Sequence, residues 1–189
     1  NAIGVVRGYL ANVPSVRSQG VEVDFSLKPI ERFDLYTNFA FTDARYLRFP
    51  DAPPPIELSG GSISAVVASG GRLPGVSKFA VSFGGEYRLP LAAKSLPPGS
   101  LFAGIDGSYR SDFSSSPTPS RVLNVDGYAL INFRAGWRGE SGLEIFGWVR
   151  NAFDARYFDF LTAAPASTGL IVGQPGDPRT WGGTVRLRF

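Results

Sequence analysis

Apolar and polar residues alternate one for one along most of the chain. In 21–28, Val21, Val23, Phe25 and Leu27 fall on one face, and Glu22, Asp24, Ser26 and Lys28 on the other. Successive side chains of a strand point to opposite faces, so this spacing predicts a strand with one apolar and one wet side. Residues 33–42 repeat it: Phe33, Leu35, Thr37, Phe39 and Phe41 oppose Asp34, Tyr36, Asn38, Ala40 and Thr42. The same period predicts strands at 79–88, 101–110, 128–138, 143–150 and 181–189. An eighth, more weakly patterned, is expected within 1–10. No segment has a helical period. No Asp, Glu, Lys or Arg falls on the apolar row of the seven clear strands, whereas each carries charge on the opposite row.

Alternation alone fits a soluble β-sandwich as well as a membrane barrel. Two further patterns favour the barrel. Aromatic residues stand at the ends of the apolar rows: Phe33, Phe41, Phe79, Tyr87, Tyr109, Trp137, Trp181 and Phe189. A sandwich core has no reason to put its rings at the rims, but a lipid-facing band does, because amphipathic rings settle at membrane interfaces. The connections also alternate in length. The short or intermediate links 29–32, 89–100 and 139–142 interleave with the long links 46–78, 111–127 and 151–180. Tight turns on one side and extended loops on the other belong to transmembrane barrels. The long links are rich in turn formers, as in 51–55 and 114–119, and nothing in their residue types selects a ligand.

Composition removes several other readings. The chain has no Cys, His or Met, so it offers no disulfide framework, no ordinary zinc site and no histidine base. No catalytic residue, metal site or cofactor is expected. A net charge of +3 is too weak a bias to suggest a nucleic-acid or anionic-lipid partner. No run approaches the roughly 20 apolar residues of a spanning helix. The chain opens at Asn1 with no Met and no leader-like segment, so residues upstream are expected. Asn151, Asp154, Arg156 and Tyr157 cluster at a strand-to-loop junction, where Asn and Asp cap turns, and they are read as structural. The polar-face arginines Arg88, Arg110, Arg134, Arg138, Arg150, Arg186 and Arg188 are expected to pair with Glu22, Asp24, Asp34, Glu86, Asp106 and Glu144, or with a plug.

The pieces together resemble TonB-dependent receptors. Gly20 to Asp24 (GVEVD), a short turn and residues 35–45 (LYTNFAFTDAR) are similar to that family's "GVE" strand and the strand after it. Residues 73–79 (LPGVSKF) look like its return into the next strand. Residues 151–157 (NAFDARY) look like its "N-x-F-D-x-x-Y" element, and 176–182 (GDPRTWG) like its closing "G-x-P-R" motif.

The resemblance implies an all-β fold, an antiparallel transmembrane β-barrel with long extracellular loops. Residues 1–189 would be the C-terminal part of the barrel domain, about the last eight of 22 strands, without the plug and earlier strands. It implies an outer-membrane receptor of a Gram-negative bacterium, taking up a scarce nutrient, most commonly a ferric siderophore. Implied partners are the lipid bilayer, the outer-membrane assembly machinery and the TonB complex, the last through a missing N-terminal region. The terminal face of Trp181, Gly183, Val185, Leu187 and Phe189 resembles the signal that this machinery reads; Trp181, Val185, Leu187 and Phe189 are its candidate residues. The alternatives are a free-standing eight-stranded barrel serving as adhesin or anchor, and a soluble β-sandwich that binds glycans or proteins.

Overall fold

A computed structural model describes residues 13, 15–58, 62–91, 98–118, 120–164 and 169–188. Its elements in chain order are β1 (Ser15–Ile30), β2 (Phe33–Arg48), a 3-10 turn (Ile56–Leu58), β3 (Phe79–Pro90), β4 (Gly99–Arg110), β5 (Phe113–Ser114) and β6 (Asn124–Val125). They continue with β7 (Tyr128–Gly139), β8 (Leu143–Arg150), β9 (Phe158–Ala163), β10 (Ile171–Pro175) and β11 (Thr180–Leu187). Seven form one antiparallel sheet in the order β1-β2-β3-β4-β7-β8-β11. These are the seven strands that the alternation predicts. The strand expected within 1–10 lies outside the described residues.

Register carries the alternation across the whole sheet. One transverse row runs Leu27, Leu35, Gly85, Ile105, Phe133, Val149 and Trp181, one residue from each strand and none charged. A one-residue slip in any strand would put its charges into this row, so the pattern itself fixes the pairing. Among the described residues no second sheet packs over the row: the main-sheet strands with extensive mutual contact are the hydrogen-bonded neighbours, and of the row only Phe133 has a ring contact with a link, to Phe153 at 6.4 Å. Trp181 is 82% exposed and Val185 71%.

The aromatic rims come together as the spacing suggests. Phe33 meets Tyr87 edge-on at 6.4 Å on the short-turn side, and Phe41 meets Phe79 at 5.5 Å on the other. On β2 and β3 the two rims are separated by the span from Phe33 to Phe41 and from Phe79 to Tyr87. At about 3.4 Å per residue and a tilt of about 40°, that is roughly 20 Å, close to the apolar band of a transmembrane barrel.

The β1–β2, β3–β4 and β7–β8 connections leave from one end of the sheet, and the β2–β3, β4–β7 and β8–β11 connections from the other. Two features depart from the sequence expectation. First, β1 and β2 run beyond the outer rim, pairing from Gly20↔Thr42 to Ser15↔Arg48. There the phase reverses: Val16, Ala44 and Tyr46 stand on the face that carries charge below the rim, and Arg17, Asp43 and Arg45 on the other, so the alternation of 21–28 and 33–42 does not continue into it. Second, the long links contain structure of their own, the two-stranded pairs β5–β6 and β9–β10. Among the described residues β1 pairs only with β2 and β11 only with β8, so both sheet edges are bare and the two do not meet.

Candidate functional site

Among the described residues, most of the buried apolar side chains lie in the long links. Tyr46, Phe49, Ala52 and Ala68 are buried together, with Val66 and Leu73 against them. The Tyr46 and Phe49 rings lie 4.9 Å apart, and Ser69 Oγ accepts the Phe49 amide at 2.9 Å. In the next link Phe113, Leu123 and Val125 are buried. The Arg110 guanidinium covers Phe113 at 3.9 Å and donates to Ser77 Oγ and to the Gly75 carbonyl. Arg110 thus meets a ring and loop oxygens instead of the carboxylate that its row suggests.

The three links are tied to one another. Arg72 pairs with Asp112 at 3.0 Å, and the Gly75 amide donates to the Ser114 carbonyl at 2.8 Å. The Glu57 carboxylate accepts the Ser120 hydroxyl at 3.0 Å and the Arg121 amide at 2.7 Å. Burial opposes ionisation of Glu57, but these donors outweigh it and hold its carboxyl below the usual value. The third link joins through Ser115 Oγ, which accepts the Leu161 amide, and through Tyr157, stacked on Tyr128 at 4.1 Å. Burial, and then the charge of nearby Asp159, push the Tyr157 phenol up.

Two open hollows result. One, of about 800 Å³, lies among the links and is lined by Pro55, Glu57, Arg72, Ser116, Ser120 and Arg121. The other, of about 760 Å³, lies below on the polar face of the sheet, with Glu22, Asp24, Asn38, Arg110, Tyr128 and Tyr157 in its lining. The first presents guanidinium and hydroxyl donors suited to an oxygen-rich ligand; the second is more acidic and aromatic. No sequence signal marks either, because each is assembled from segments far apart in the chain.

Asn151 and Asp154 act as the turn pattern suggests. Asn151 is buried, and its side chain donates to the Ala155 and Asp177 carbonyls and accepts the Ala155 amide. Asn132 Oδ1 accepts its backbone amide at 2.9 Å, and Asp154 accepts the Arg179 amide. Both residues have positive φ, 46° and 54°, a region that Asn and Asp tolerate better than most residues. Together they hold the start of the third link beside the chain entering β11. Arg156 is exposed.

The polar face of the sheet carries a continuous ladder of ion pairs. Asp34 holds Lys28 and Arg88, and Glu86 reaches Arg88, Arg134 and Arg138. Arg134 also meets Asp106 at 3.1 Å, and Glu144 clamps Arg138 at 2.8 Å and Arg186 at 3.1 Å. All seven strands contribute. Arg150 lies over the Trp148 ring instead, and Asp24 accepts a hydrogen bond from Asn38. Of the terminal-face residues, Trp181, Val185 and Leu187 share the uncharged row of the edge strand β11, opposite Val149, Ile145 and Leu143. Phe189 lies outside the described residues.

The fold is that of solved siderophore receptors. The ferric yersiniabactin uptake receptor FyuA from Yersinia pestis superimposes with a TM-score of 0.71 at 17% identity, over 92% of this chain and 24% of that one. The siderophore receptor PiuA from Acinetobacter baumannii gives 0.60 at 14% identity, over 91% of this chain and 22% of that one. FpvA of P. aeruginosa, solved with heterologous pyoverdines, gives 0.59 at 16%, over 91% and 19%. The chain therefore spans less than a quarter of the length of these receptors. No curated protein sequence matches it significantly. Residues 1–152, most of the chain, match the family model "TonB dependent receptor-like, beta-barrel", and the chain belongs to that family.

Proposed function

We propose that the chain is the C-terminal part of the barrel of a Gram-negative outer-membrane receptor that imports a scarce nutrient, most plainly a ferric siderophore. TonB-dependent receptors are transporters, not enzymes. The observation that carries the reading is the family match, together with an uncharged transverse row bounded by aromatic rims. Among the described residues β1 and β11 have no outer neighbour, which agrees with a partial barrel. In lipid every backbone donor and acceptor must be satisfied, so β1 and β11 require neighbours from the remaining strands of a barrel of 22. The family match argues against a free-standing eight-stranded barrel, and the apolar face left uncovered among the described residues argues against a sandwich.

On this reading the long links face the exterior and gather cargo, while a plug and TonB contact lie in the rest of the parent protein. Trp181, Val185, Leu187 and Phe189 serve assembly in the outer membrane. Uptake of labelled ferric siderophores is the test, with the gene deleted and with TonB removed. Uptake lost in both strains is the expected outcome. Transport unchanged without TonB would remove the receptor reading and leave the fold standing.

A further inference from the structure

Beyond the outer aromatic rim the sheet carries more positive charge than its own carboxylates answer. On the uncharged-row side of the β1–β2 ribbon, Val21 and Phe41 are followed by Gln19 opposite Asp43, and then by Arg17 directly opposite Arg45. Like charges directly across a strand pair repel each other. Lys78 adds a third cation, its ammonium 5.6 Å from the centre of the Phe41 ring and 5.8 Å from that of Phe79. Those rings hold it on the same face, at the rim. Asp43 bonds Arg45 at 2.6 Å, and Arg17 and Lys78 lie close enough to act on its charge. Among the described residues neither Arg17 nor Lys78 has an ion-pair partner of its own. On the opposite face Lys28, Arg88, Arg134, Arg138 and Arg186 each meet a carboxylate, and Arg110 and Arg150 rest on rings.

The position of this cluster identifies what would neutralise it. Aromatic rims mark the level of lipid headgroups, and Phe39 and Val81 continue the apolar surface directly below. Guanidinium forks and an ammonium suit phosphate oxygens. We infer that Arg17, Arg45 and Lys78 form a site for the phosphate of an outer-leaflet lipid, whose acyl chains lie on the apolar rows of β1, β2 and β3. The inference rests on the membrane reading of that face.

The full-length receptor, purified from outer membranes in detergent, is titrated with diphosphorylated lipid A, with the same lipid dephosphorylated, and with inorganic phosphate. Native mass spectrometry reads the bound lipid. Each cation near a membrane surface contributes about 1 kcal/mol toward anionic lipid, so Arg17→Gln with Lys78→Gln should weaken lipid A binding roughly tenfold or more. Lys78→Gln alone, expected to weaken it several-fold, serves if the double variant does not fold. Lys28→Gln, on the opposite face near the other rim, should leave binding unchanged. Unchanged affinity in the Arg17 and Lys78 variants, an equal loss with Lys28→Gln, or equal binding of the dephosphorylated lipid would overturn the site. Competition by inorganic phosphate at the potency of the lipid would overturn it as a lipid site. Insertion into vesicles is scored first. A receptor that does not insert takes down the membrane reading together with the site; an inserted barrel that ignores lipid phosphate takes down the site alone.

Discussion

The sheet and the links at its outer end treat hydrophobic residues in opposite ways. On the sheet, Val21, Val23, Phe25, Trp181 and Val185 are exposed, and no layer of the described chain covers them. In the links, Ala52 is fully buried and Phe113 is 2% exposed. The amino acids are of the same kind; their intended surroundings differ. A wall that meets lipid gains its apolar contact from the solvent and has no need of an inner core. Links that meet water must build a core from their own residues, and they do so with scattered single aromatics and alanines.

That comparison can be broken from either side. The largest effect is expected in the links. Phe113→Ala removes a buried ring and should weaken closure of link 111–127 by about 3–5 kcal/mol. Hydrogen exchange should show that link opening while the sheet keeps its protection; loosening of both together would merge the two regions into one. Next comes Ile105→Arg, midway between Leu101 and Tyr109 on the uncharged row of β4. It should cost about 2–4 kcal/mol when the full-length barrel is unfolded by urea from vesicles. A negligible cost would mean that this face meets water.

The pH response of the Glu57 contact is smaller and local. Its folded-state pKa is lowered, so the stabilisation is present above the ordinary glutamate value and disappears as pH falls through the folded value. The protection factor of the Arg121 amide should fall over that acidic range, and Glu57→Gln should flatten the response. The smallest effect is expected for Ala103→Leu, opposite Ala135 on the uncharged row. Lipid gives way to a larger side chain, so the change should be nearly neutral, whereas in a packed core it costs about 1–3 kcal/mol. Urea titration of the reconstituted protein separates these outcomes.

The sheet was legible in the sequence because its determinant is local. Period two writes each strand into consecutive residues, and register follows from keeping Asp34, Glu86 and Arg134 off the uncharged row. The extension of β1 to Ser15 was not legible, since Arg17 and Gln19 share a face with Val21 and break its alternation. The links were hardest to read. Phe49 and Phe113 stand among Pro and Ser with no repeat, and only contacts across the fold bury them. Asn151 could be read as a turn-former from its type, but not its reach to the Asp177 carbonyl. The hollow between Glu57 and Arg121 likewise depends on how two links meet.

The ion-pair ladder has an electrical consequence. From Lys28 through Asp34, Arg88, Glu86, Arg138 and Glu144 to Arg186, the sign reverses at each step. The potential of an alternating row cancels over distances shorter than its own repeat, and the strands here stand only about 5 Å apart. The row holds four cations and three anions, so a few ångströms from the wall its charges leave little more than the field of the one unmatched positive charge. A charged molecule moving past at that distance would meet one residual positive charge from this row, not the sum of its seven.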